Sequence, residues 1–120
     1  MIASPPIEIV RDEVTLAHLQ GLAENLFGDL VKAVVDVERN IMALGGELHA
    51  DEEAILLDDG SLRPHLWGIN LYPSEYGDAG WLEFDSMINV RPSKGNRSRD
   101  VEDPAIRQAI TDVVDRLVRA

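Results

Sequence analysis

Glu47, His49, Asp51, Glu52 and Glu53 put one imidazole and four carboxylates within residues 47–53. A neutral imidazole beside carboxylates suits a borderline or hard divalent ion. His49 and Asp51 are therefore metal candidates through a His-x-Asp chelate, and a divalent metal is the one cofactor these residues suggest. The same residues have a structural reading. Asp51 as the N-cap of a short helix, with Glu52 and Glu53 solvated at its positive end, accounts for all three acids.

A second polar row, Glu83, Asp85, Asn89 and Arg91, stands opposite Leu82, Phe84, Ile88 and Val90 in the order of a strand. Asp85 is its catalytic candidate, with His49 as the other, because Asn, Tyr and Arg neighbours can orient a carboxylate as ligand or general base. An outward polar row is also the ordinary mark of an antiparallel sheet covered on one side.

Residues 91–99 form the one basic island. Arg91, Lys94, Arg97 and Arg99 are four of the chain's 11 Lys and Arg, separated by Pro, Ser, Gly and Asn. Guanidinium forks and amides curled by a Gly-Asn pair can hold a carboxylate or phosphate, which makes Arg91, Asn96, Arg97 and Ser98 the expected anion-binding set. The competing account pairs these cations with the acids around them. His18 and His65 read as solvent-facing, and Ser61, Ser86 and Ser98 have no His and Asp order that would make a triad.

The elements that must carry these residues follow from periodicity. Residues 7–10 read as a strand, and Thr15 caps a helix bearing Leu16, Leu19, Leu22, Ala23 and Leu26 that Gly28 ends. Val31, Ala33, Val35 and Val37 alternate as a strand that turns at Arg39 and Asn40 into residues 41–44. A short helix is expected from Asp51 through Leu57, although residues 54–57 also fit a strand. Residues 66–72 and 81–91 read as a second hairpin. Asp103 and Pro104 start a last helix with the stripe Ile106, Ile110, Val113 and Leu117. The expectation is an α+β fold with two layers, a mainly antiparallel sheet with helices on one face. Residues 1–6, ending in Pro5 and Pro6, are a loose arm, and residues 7–120 are one domain.

Composition narrows the function classes. The chain carries 22 Asp and Glu against 11 Lys and Arg, a net charge of −11, which repels phosphate backbones and anionic lipid. Nucleic acid and membrane are not expected partners. There is no cysteine, the first residues lack the basic flank and apolar run of a signal peptide, and no stretch approaches a membrane span, so the cytoplasm is the expected compartment.

Residues 32–38, 45–53, 66–73 and 83–99, with their GGELHADEE, LWGINLYP and EFDSMINVRPSKGNRSR segments, resemble a bacterial family of small uncharacterised proteins. The resemblance covers nearly the whole chain after residue 7. It implies a shared domain, transfers no catalytic residue and agrees with a cytoplasmic location.

The function expected from the residues is a small cytoplasmic binding or protein-interaction module whose Arg loop takes a small anion or an acidic protein segment. One alternative is a metal-dependent hydrolase in which His49 and Asp51, helped by Asp85, hold the ion while Arg91 or Arg97 neutralises charge on a phosphate-like substrate. Another is a homo-oligomeric subunit, a homodimer in its simplest form.

Overall fold

Alternation over residues 31–38 sets the centre of the molecule. Val31, Ala33 and Val35 face one way along β3 (Val31–Asp36), and Val34 faces the other between Lys32 and Asp36. Asn40 takes a φ of 57°, as the turn requires, and the chain returns as β4 (Ile41–Leu44). The other side of β3 pairs with β5 (Leu66–Leu71), from Val31 opposite Leu71 to Asp36 opposite Leu66. The edge strands β1 (Glu8–Val10) and β6 (Leu82–Glu83) complete an antiparallel sheet of order β1-β4-β3-β5-β6. The computed structural model describes residues 7–120, and the expected arm, residues 1–6, lies outside them.

The first and last helices cover one face, as their stripes predict. In α1 (Leu16–Leu26) the Thr15 hydroxyl accepts from the His18 N–H at 3.1 Å, and Gly28 takes a φ of 93° just past the end. In α3 (Pro104–Leu117) the Asp103 carboxylate accepts from the Ala105 N–H at 2.8 Å. Leu19, Ala23, Ile110, Val113 and Leu117 bury themselves on Val31, Ala33, Val35, Met42, Trp67 and Ile69. Trp81 joins this core, edge-on to Tyr76 at 5.0 Å. A short parallel pair that periodicity did not reveal, β2 (Val14–Thr15) with β7 (Val118–Arg119), ties the two helices together.

The opposite face corrects the one-sided picture. Residues 54–57 are helical, within α2 (His49–Asp58), and Leu56 packs on Val34, Ile41, Ala43 and Leu66. Helices therefore lie on both faces of the sheet, because β3, β4 and β5 each turn apolar side chains this way too. Asp51 is not the N-cap. The helix starts two residues earlier, at His49 after Leu48, so His49, Glu52, Glu53 and Leu56 share its inner side. Glu52 is 0% exposed and Glu53 7%, not solvated as expected. The Glu52 carboxylate accepts from the Gly46 N–H at 3.0 Å.

The second arm of the second hairpin is also shorter than its alternation predicts. Only Leu82 and Glu83 pair with β5, and the chain then leaves the ladder for a 3-10 turn at Met87–Asn89. Gly68 explains the departure. Ser86 lies so close that a Cβ on Gly68 would stand 2.5 Å from the serine Cβ and Oγ. In place of a strand, the Asn89 carboxamide accepts from the Gly68 N–H at 2.8 Å and donates to its carbonyl at 2.9 Å. One side-chain amide thus stands where a neighbouring peptide group would be.

Candidate functional site

Two buried asparagines build the basic segment. Asn89, 0% exposed, also donates to the Arg99 carbonyl at 3.0 Å. Asn96 donates to the carbonyls of Asn89, Ser98 and Asp100 at 2.7, 3.1 and 2.7 Å, and its own oxygen accepts from the Glu102 N–H at 2.8 Å. Arg91 and Asn96 pair as an isolated antiparallel bridge, closed by Gly95 at a φ of 83°.

The expected anion-binding set divides on this scaffold. Asn96 faces inward with its carboxamide fully engaged. The amides of Arg97 and Ser98 do converge as a nest, and the carboxylate they hold belongs to the chain itself. Glu102 Oε2 accepts from Arg97 N at 3.0 Å, Ser98 N at 2.9 Å and the Ser98 hydroxyl at 2.7 Å. The Ser98 hydroxyl bond leads in holding the Glu102 carboxyl below the usual carboxylate range, with the two amides reinforcing it. Arg99 pairs with Asp85 at 2.6 Å, and Arg107 with Asp100 at 2.7 Å.

Arg91 lies elsewhere. Its Nη2 donates to the Leu66 carbonyl and its Nε to the Ile88 carbonyl at 3.2 Å, while the guanidinium lies 4.6 Å from the centroid of the Trp67 ring. The Glu53 carboxylate bonds Arg63 at 2.7 Å and stands 3.9 Å from Arg91 Nη2. Burial pushes the Arg91 guanidinium below its ordinary pKa and the Glu53 charge opposes the shift, yet an arginine stays protonated. Its remaining nitrogen, Nη1, is buried and has no partner among the described residues. A buried donor left unpaired costs about 1–3 kcal/mol, and more when charged.

Arg91 lines a groove of about 560 Å³ with Arg63 and Lys94 as its other cations and Met87, Ile88 and Val90 along its apolar side. It also lines a smaller cleft of about 180 Å³ beside Trp67 and Ile106. Residue spacing pointed to Arg91 and Lys94 but not to Arg63 or Glu53: Arg63 precedes a proline in an unremarkable loop, and Glu53 read as a solvated acid.

The other candidates lie outside the lining of this groove. His49 is buried at the start of α2 with Nε2 2.8 Å from the Ile69 carbonyl. A carbonyl only accepts, so Nε2 carries the proton and Nδ1 is the free acceptor. Burial lowers the pKa of His49; the Ile69 carbonyl raises it, and of the nearby charges Lys32 and Arg99 lower it while Asp85 raises it. His49 and Asp85 are thus electrostatic neighbours. Beside them Glu83 accepts from Asn70 at 2.9 Å and Tyr72 at 3.0 Å, and Asn70 also donates to the Asp85 carbonyl. Asp51 is exposed while His49 is buried, so the two do not converge, and residues two apart on a helix do not face each other. Among the described residues no group of three or more His, Asp and Glu stands where it could hold a metal ion. No helix among them is long and apolar enough to cross a membrane.

A family model described as "Protein of unknown function (DUF5674)" matches residues 8–117, and the chain belongs to that family. No curated protein matches the chain. No solved structure matches it either.

Proposed function

We propose that this member of the family is a small binding module whose receptor for negative charge is the groove at Arg91, bounded by Arg63 and Lys94. The observation that carries the reading is the buried Arg91 Nη1 without a partner among the described residues, on a guanidinium fixed by two carbonyls and an aromatic face. Three cations meet a single carboxylate there, so the groove is locally positive on a chain of net charge −11. An anion approaching it would meet cations where elsewhere it meets acids. The nest at Arg97 and Ser98 is a poorer receptor, because Glu102 fills it. The absence of cysteine supports a reducing compartment, and the cytoplasm is the location we assign.

Thermal unfolding in phosphate against chloride of equal ionic strength tests the reading. Phosphate should raise the melting temperature, and the increment, taken relative to each variant's own baseline, should fall in Arg91→Lys and in Arg63→Ala with Lys94→Ala. It should survive in Arg97→Ala. An increment lost in Arg97→Ala and kept in Arg91→Lys would move the receptor to the nest, and no increment in the wild type would remove it.

A further inference from the structure

Resting on that reading, we infer that the groove's ligand is a small aliphatic monocarboxylate, a single carboxylate on a flexible hydrocarbon body. The polar capacity of the site is limited. Arg91 has one nitrogen left to give, since Nη2 and Nε already serve the carbonyls of Leu66 and Ile88. Arg63 is partly neutralised by Glu53 at 2.7 Å. A carboxylate matches the one guanidinium nitrogen unpartnered among the described residues, with Lys94 supplying further charge. A bare inorganic ion would leave the rest of the groove without a partner.

That rest is apolar. Met87 is 65% exposed on the 3-10 turn, and Ile88 and Val90 continue the wall toward Pro64 and Pro92. A methionine left in water beside a cationic end is the side chain most able to mould itself to a flexible chain, because it is unbranched and polarizable. The volume of about 560 Å³ lies within the range of small-molecule pockets, and an apolar lining with a few placed polar groups is their usual makeup. Cations and hydrocarbon in one groove therefore fit an amphipathic anion, its carboxylate at Arg91 and its chain along Met87.

Calorimetric titration of the full chain with acetate, butyrate, hexanoate and octanoate, each below its micellar range, tests the inference. Affinity should rise about two- to fourfold per added methylene, as burial of hydrocarbon requires. Octanol should bind more weakly than octanoate, and Met87→Ser should flatten the chain-length series. If affinity is the same from acetate to octanoate while phosphate still stabilises the protein, the aliphatic ligand is wrong and the anion receptor stands. If octanol binds as tightly as octanoate, the carboxylate has no role and the inference falls. If neither alkanoates nor phosphate act, both readings fall together.

Discussion

Asn89 pairs with Gly68 in both directions, its carboxamide accepting from the glycine N–H at 2.8 Å and donating to the glycine carbonyl at 2.9 Å. The pair joins the central sheet to the segment that carries Arg91, since the same asparagine also receives Asn96 on its own carbonyl at 2.7 Å. Asn89→Ala would leave two buried groups of Gly68 without partners. It should cost roughly 2–4 kcal/mol in urea denaturation, on the scale for buried unsatisfied groups. A loss below about 0.5 kcal/mol would mean that water replaces the carboxamide freely.

Gly68→Ala attacks the same junction from the other side. Its new methyl would stand 2.5 Å from Ser86 Cβ and Oγ and 3.1 Å from Ile88, so the 3-10 turn must shift. Overpacking of this kind costs about 1–3 kcal/mol. The phosphate response should fall with it, because the turn carries Met87 and Ile88 into the groove. Unchanged stability would contradict the close approach.

Glu52 gives the fold a pH dependence of definite sign. Burial pushes its carboxyl well above the ordinary value of 4.5, against the Gly46 N–H that favours the ionised form. The folded chain therefore holds a proton that the unfolded chain releases. The contribution is fully present below about pH 4.5 and is lost as pH rises through the folded pKa, at up to about 1.4 kcal/mol per unit. Glu52→Gln should remove this decline, and chemical denaturation of both proteins between pH 4.5 and 8 measures it. Parallel curves would show that Glu52 ionises without penalty.

His49 has the opposite sign. Its pKa is lowered, first by burial, so its contribution is present above pH 6.5 and is lost as pH falls through the folded value. Nitrogen NMR of the ring should find the Nε2-protonated neutral tautomer, with a midpoint below 6.5. A proton on Nδ1, or a midpoint above 6.5, would contradict the bond to the Ile69 carbonyl.

The parts of this fold that the sequence made legible are those governed by a local period or a cap. Alternation in Val31, Ala33 and Val35, the Thr15 and Asp103 caps, the left-handed Asn40 and the stripe through Ile110 each depend on residues close in the chain. The start of α2 was misread because Asp51 suits a cap, whereas the inward burial of Glu52 depends on a distant sheet and on Gly46. The strand expected through residue 91 failed for a similar reason. Its alternation is real, but Gly68 and Ser86 leave no room for a ladder. The same limit applies to the site: Arg91 stood out in a basic island, while Arg63 and Glu53 join it only through tertiary contacts.

Resolving the Arg91 Nε–Hε resonance by NMR during a phosphate titration tests the receptor most directly. The guanidinium reports on the atom group whose free nitrogen carries the proposal, whereas melting temperature sums over the whole chain. A saturable shift is expected at Arg91, accompanied by Lys94 and the Met87 methyl, with the Arg97 and Ser98 amides unmoved behind Glu102. Saturable shifts confined to those two amides, or an Arg91 resonance that stays fixed while phosphate binds, would contradict it.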